Sequence, residues 1–217
     1  MNDFSTRRVT MVDTQVRPSD VTKFPIIAAM LTVPRESFVP DARREAAYAG
    51  LNIEFSAGRV VLEPRTLAKM LDFLDILPGD HVLDLGAGLG YGAAVLSQMA
   101  ANVVALEADA ATSQSARTRL AAAGHGGVKV VTGPLQGGAV AEAPFDVILI
   151  EGGVEQVPAA IIAQLRHGGR IGAIFMRGAL GTVRIGRKDD GGVNWRFAFN
   201  ADAPVLPGFA AAREFEL

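Results

Sequence analysis

The sequence predicts an α/β fold in three layers: a seven-stranded, mainly parallel sheet with helices on both faces, an antiparallel hairpin at its C-terminal end, and a helical N-terminal extension. Three observations predict it. After residue 77, short apolar runs such as "HVLDLG", "NVVALEA", "GVKVVTG", "FDVILIEG" and "GGRIGAIFM" alternate with helical stretches. Strands of that kind, buried on both faces and joined by helices, form parallel βαβ units. The segment "TVRIGRKDDGGVNWRFAF" instead sets two alternating runs around "DDGG", the pattern of a hairpin. Between Ser19 and Leu77 the periodicity is helical and loop-like.

The elements follow in order. "DVTKFPIIAAMLTVPRESFV" carries apolar residues at helical spacing, with Ser19 or Asp20 as the expected cap and Pro34 as a break. "PRTLAKMLDFLDIL" reads as a second helix: Pro64 suits a first turn, Leu67, Met70, Leu71 and Leu74 recur at three and four, and "LPGD" stops it. Next come the strand "HVLDLG", the helix "YGAAVLSQMA", the strand "NVVALEA" and an amphipathic helix in "ADAATSQSARTRLAAAG", closed by Gly124. "VPAAIIAQL" supplies a later helix, and Trp195 in the hairpin is expected to pack. No internal repeat or low-complexity linker is visible, so the N-terminal segment (1–77) is expected to pack onto the main domain (78–217) as one unit.

Composition narrows the function. With 217 residues, 49% of them hydrophobic, the chain can bury one substantial core. A net charge of −2 gives no electrostatic reason for nucleic acid or an anionic membrane as partner. Cysteine is absent, which excludes disulfides, thiolate catalysis and cysteine-ligated zinc. His81, His125 and His167 read as loop positions without metal-ligand spacing, so no metal is expected. The N-terminus lacks the apolar core of a signal peptide and no apolar stretch is long enough to span a membrane, so a cytoplasmic protein is expected.

The stretch "HVLDLGAGLGYGAAVL" places Gly86, Gly88 and Gly90 between the first strand and first helix of the sheet. In such folds ligands sit at the carboxyl ends of the strands, and glycine lets the backbone approach them closely. Glu107 ends the second strand about twenty residues on, where a carboxylate can accept both hydroxyls of a ribose. A dinucleotide fingerprint wants its third glycine where Tyr91 stands. The alternate glycines preceded by Asp84 suit a ligand with a cationic amino-acid end and no phosphate, which an acidic residue would repel. S-adenosylmethionine fits that description.

From "MVDTQVRPSDV" through "VPRESFVPDARREAAYAGLNI", "VLDLGAGLGYGAAVLS" and "PFDVILIEGGVEQVPAAIIAQLRHGGRIG", the sequence resembles the protein-L-isoaspartate O-methyltransferases, a family of Rossmann-like fold. The resemblance implies S-adenosylmethionine as cofactor and methylation of the isoaspartyl carboxylate of damaged proteins, in repair. It implies a cofactor site of Asp84, Gly86, Ala87, Gly88, Tyr91, Glu107, Ala108, Pro134, Leu135 and Glu151, and an acceptor site around Leu62, Glu63 and Glu151. Three departures stand out. "VVLEP" puts Val60 and Leu62 where the family's Thr-Ile-Ser has hydroxyls, the serine at the active site. Pro134 replaces an acidic residue beside the adenine. Glu151, where the family tends to small residues, is expected to point into the cleft and disfavour an anionic acceptor. Arg59 and Arg65 flank the altered segment as candidate carboxylate binders, and Thr66 is expected on a helix surface. Two alternatives stay open: a methyltransferase with a different acceptor, and a non-catalytic adenosylmethionine-binding module.

Overall fold

The computed structural model describes residues 3–211. Asp3 accepts the backbone N–H groups of Ser5 and Thr6 and so starts helix α1 (Phe4–Met11), which runs on in further helical turns to Ser19. Asp20, at φ 66°, turns the chain out of this run. It therefore ends one helical stretch rather than capping the next. Helix α2 (Phe24–Thr32) begins only at Phe24, where Pro25 occupies the first turn. Strands β1 (Ile53–Ser56) and β2 (Arg59–Val61) form a separate antiparallel hairpin with an exposed tip. Helix α3 (Pro64–Leu74) buries Leu67, Met70, Leu71 and Leu74, as their spacing predicts, and stops at Asp75, which takes the left-handed conformation at φ 52°. Thr66 on this helix is buried, not exposed, because its hydroxyl turns back to Glu63 Oε1 at 2.7 Å.

The main sheet follows: β3 (His81–Leu85), helix α4 (Tyr91–Leu96), β4 (Asn102–Glu107), helix α5 (Ala110–Ala122), β5 (Lys129–Thr132), β6 (Phe145–Val154), helix α6 (Ala159–Ala163), β7 (Leu165–Arg177), β8 (Leu180–Asp189) and β9 (Gly192–Asn200). Its seven strands lie in the order β5-β4-β3-β6-β7-β8-β9, parallel as far as β7 and antiparallel through β8 and β9. The expected hairpin is thus in place, with Trp195 packed edge-on against Phe175. His81 and His167 lie in β3 and β7 rather than in loops, each just at or near the start of its strand. The strand order reverses between β3 and β6, which opens a crevice at their carboxyl ends.

Strand alternation sorts the side chains. Val82, Val103, Ala105, Val147 and Leu149 join the apolar cluster shared with the N-terminal helices, while Leu83, Leu85, Val104, Leu106, Ile148 and Ile150 join the cluster on the opposite face. With a period of two, Asp84, Glu107 and Glu151 fall on the same face as the N-terminal layer. That layer answers them with Arg35. Its side chain is fully buried, donates from Nε to Ala47 O at 2.7 Å and from Nη2 to Leu62 O at 2.8 Å, and lies 4.7 Å from the centre of the Tyr91 ring. Arg35 thereby ties the segment before β1 and the segment after β2 to the first helix of the sheet.

Replacing Arg35 by methionine keeps the bulk but strands two buried carbonyls. At about 1–3 kcal/mol for each group left unsatisfied, a loss of about 2–6 kcal/mol is expected, read from the urea midpoint at constant slope.

Candidate functional site

The loop between β3 and α4 takes the shape its glycines allow. Gly86, Gly88 and Gly90 have φ of 78°, 55° and 94°, a region side chains with a Cβ seldom enter. The N–H groups of Gly86 and Ala87 donate to Leu106 O, at 2.9 and 3.2 Å, so the loop is fastened to the end of β4. This brings it against Glu107, the last residue of that strand.

Glu107 is 1% exposed and all of its acceptor capacity is used. Oε1 accepts from Arg59 Nη1 at 2.6 Å and from the Ala108 N–H at 2.8 Å; Oε2 accepts from Arg59 Nη2 at 2.7 Å and from the Gly88 N–H at 2.9 Å. Arg59 Nη2 also donates to Gly86 O at 3.1 Å. The guanidinium is a two-pronged donor to the carboxylate, the geometry in which arginine pairs best. Beside it, Phe55 lies over the loop: a Cβ built on Gly88 would come within 2.7 Å of Phe55 Cε1. From the other side Leu206, on the chain beyond β9, packs 3.2 Å from the corresponding position of Gly86.

Beneath the loop lie Asp84 and Glu151, both buried. Glu151 does not stand in an open cleft as its sequence position suggested. Strand alternation after Val147 and Leu149 places Glu151 on the inner face, beside a shift of the β6–β7 register between Leu149 and Gly153. Its carboxyl occupies the space a side chain on Gly92 would need. Neither oxygen of Asp84 makes a hydrogen bond of ordinary geometry, nor do Glu151 Oε1, the Tyr91 hydroxyl or Arg35 Nη1. Burial, reinforced by the facing carboxyl of Glu151, holds Asp84 well above the usual carboxylate range. Burial also pushes Glu151 up to about 7, against the pull of Asp84, Arg35 and Arg59. Both carboxyls therefore hold a proton more readily than a solvated carboxylate does.

The remaining predicted positions divide. Gly86, Ala87, Gly88, Glu107 and Ala108 are brought together at the loop. Tyr91 is buried on the inner side, stacked on Arg35 and tilted against Phe38. Pro134 precedes a short helical turn and Leu135 is buried in the opposite-face cluster. Leu62 is buried in the core with its carbonyl held by Arg35, and Glu63 caps the approach to α3, paired with the Thr66 hydroxyl. Arg65 is 41% exposed in its side chain and lies over Phe199, away from Glu107. Sequence reasoning missed Phe55, Arg35, Gly92 and Leu206. Only Gly92 left a signal: a glycine inside a helix marks a close approach.

Because both carboxyls bind protons more tightly in the folded chain than in the unfolded one, the stability from this source is full below about pH 4 and falls as pH rises through 7. His125, lowered by burial, acts oppositely, its share growing as pH rises through its unfolded value near 6.5. Urea unfolding between pH 5 and 8 should therefore show a downward trend in the wild type that is reduced in Glu151→Gln, which loses one of the two raised carboxyls while burial still raises Asp84. Parallel curves for the two chains would contradict the raised proton affinity of Glu151.

The acceptors at the loop suit a ligand with two adjacent hydroxyls and a cationic end: a carboxylate, a nearby backbone carbonyl and a Cβ-free approach. In the closed arrangement Arg59 uses the first two and Phe55 covers the third. Among the described residues no helix is long and apolar enough to cross a membrane, and no group of three or more His, Cys, Asp or Glu residues is placed to hold a metal ion.

Comparison with known proteins agrees with this frame. Residues 8–194 match the family described as protein-L-isoaspartate(D-aspartate) O-methyltransferase. A protein-L-isoaspartate O-methyltransferase of Koribacter versatilis is 37% identical over 79% of this chain and 77% of its own length. One from Methylorubrum extorquens is 40% identical over 78% of this chain and 74% of its own. Among solved structures, a protein-L-isoaspartate O-methyltransferase superposes with a TM-score of 0.80 at 23% identity, over 93% of this chain and 66% of that one. A Plasmodium falciparum chain described as an enzyme of the same name, in complex with S-adenosyl-L-homocysteine, superposes with a TM-score of 0.79 at 16% identity, over 95% of this chain and 99% of that one.

Proposed function

The chain belongs to the protein-L-isoaspartate (D-aspartate) O-methyltransferase family, and from that membership we propose that it transfers the methyl group of S-adenosylmethionine to the isoaspartyl carboxylate of damaged proteins. S-adenosylmethionine is the methyl donor of this family. The single observation that carries the proposal to these residues is the left-handed glycine loop fastened against Glu107 at the carboxyl ends of β3 and β4.

The cofactor, when bound, supplies an electrophilic sulfonium methyl. Glu107 is the residue to hold the ribose hydroxyls, once Arg59 releases it, and Gly86 and Gly88 keep the approach free of Cβ atoms. Gly86 O is the carbonyl available to a cationic amino-acid end. Asp84 lies buried beneath the loop facing Glu151, with neither oxygen hydrogen-bonded. An acceptor carboxylate has a pKa near 4 and is already ionised at neutral pH, so no general base is required. Catalysis of this kind is placement, worth several kcal/mol when the reacting atoms are held in line. The protein partner is an isoaspartyl-containing protein or peptide. Neither nucleic acid nor a membrane is proposed as a partner, and the cytoplasm is the proposed location.

Val60 and Leu62 favour no second acceptor by themselves. Leu62 is core, and Glu151, the residue expected to repel an anion, is buried against Gly92, where burial raises its proton affinity. Incubation with methyl-labelled S-adenosylmethionine and an isoaspartyl peptide should yield base-labile methyl ester, with no label on the aspartyl isomer. Label on neither peptide, from a chain that binds the cofactor, would favour a different acceptor.

A further inference from the structure

Resting on the reading above that S-adenosylmethionine is the ligand, we propose that the β1–β2 hairpin is an intramolecular competitor for the cofactor site, with Arg59 as the residue that sets cofactor affinity. Arg59 donates to both oxygens of Glu107 and to Gly86 O, the very acceptors a ribose and a cationic end would use. With the N–H groups of Gly88 and Ala108 filling the rest, Glu107 has no acceptor position left. Phe55, from the other strand of the same hairpin, covers the Cβ-free face of Gly88. One element thus blocks the polar and the apolar halves of the site together.

The hairpin's tip is separate from its docked base. The hairpin forms its own two-stranded sheet, and Ser56, Ala57 and Gly58 at its tip are exposed. Its ends are held independently of the tip. Asn52 donates to Asp202 O at 2.9 Å and accepts from the Glu63 N–H at 2.8 Å, and Arg35 holds Leu62 O. The tip can therefore swing while the base stays docked. Arg59, 9% exposed, carries the ion pair that closes it, and Phe55, half-buried, gives the apolar contact. A cofactor enters only the fraction of molecules in which the hairpin is open, and its apparent affinity is lowered by that fraction.

The test is calorimetric titration of the full chain with S-adenosyl-L-homocysteine, in wild type, Arg59→Gln, Phe55→Ala and the double variant Arg59→Gln/Glu107→Gln. Phe55→Ala leaves no buried charge unpaired, so it reports even if Arg59→Gln folds poorly. If the hairpin is closed in about nine molecules of ten, Arg59→Gln and Phe55→Ala each bind about tenfold tighter than wild type. The gain of Arg59→Gln is lost in the double variant, because the glutamine amide offers one acceptor oxygen where the carboxylate offered two. Binding by the wild type as tight as by both single variants, or weakened binding in Arg59→Gln, would overturn the proposal and make Arg59 part of the ligand site. Binding by none of the four, each melting cooperatively, would overturn it together with the cofactor reading.

Discussion

Three carboxyl groups, Asp84, Glu107 and Glu151, lie on the adjacent strands β3, β4 and β6 on one face of the sheet, and all three are buried. A buried charge without compensation costs several kcal/mol, so the rest of the chain is arranged around these three. Two devices meet the requirement. Burial raises the proton affinity of Asp84 and Glu151, and two guanidinium groups, Arg35 and Arg59, come from the N-terminal segment. The central sheet thus depends on residues that precede it, and the N-terminal layer is the counter-charge of the site as much as a covering for apolar strands.

That dependence joins stability to ligand access. Breaking a buried ion pair by removing one partner costs about 3–5 kcal/mol, while forming it contributes little net. An opening of the hairpin separates Arg59 from Glu107 but lets water or a ligand reach both, so its cost is smaller than that of a deletion. Arg35 has no such freedom, since its two carbonyl partners and the Tyr91 ring enclose it on several sides. One arginine is a fixed support, and the other is a removable occupant of the same acidic face.

The sheet was legible because its signals are local. Apolar runs of five or six residues, "DDGG" between alternating strands, and Leu67, Met70, Leu71 and Leu74 at helical spacing each report on near neighbours. Glu107 was legible too, as its distance from the glycine loop follows from one βαβ unit. The misreadings have a common cause in contacts distant along the chain or in backbone choices without a compositional mark. Arg59 was a candidate carboxylate binder from its sequence, but its partner, Glu107, lies forty-eight residues away and was not legible. Glu151 falls on the inner face by strand alternation, but its burial comes from helix α4, where its carboxyl fills the space beside Gly92. Asp75 ends α3 in a left-handed conformation where glycine is the usual signal, and Pro25, not Ser19 or Asp20, fixes the start of α2.

The replaced hydroxyls follow from the same electrostatic frame. At Leu62 the backbone carbonyl holds Arg35 while the side chain fills the core, so a serine there would exchange packed methyl groups for a buried hydroxyl. Leucine-to-alanine truncations in cores cost about 2–5 kcal/mol, and a serine adds the need for a hydrogen-bond partner. Leu62 therefore strengthens the support on which Arg35 rests, at a position where a family serine would contribute one hydrogen bond. Methyl transfer to an ionised carboxylate requires placement above all, so the exchange trades a modest contact to the acceptor for a firmer mounting of the charges beneath it. On this view the altered segment Arg59–Glu63 acts as one piece: Arg59 closes the site, Leu62 anchors its support, and Glu63 starts the helix that carries both against the sheet.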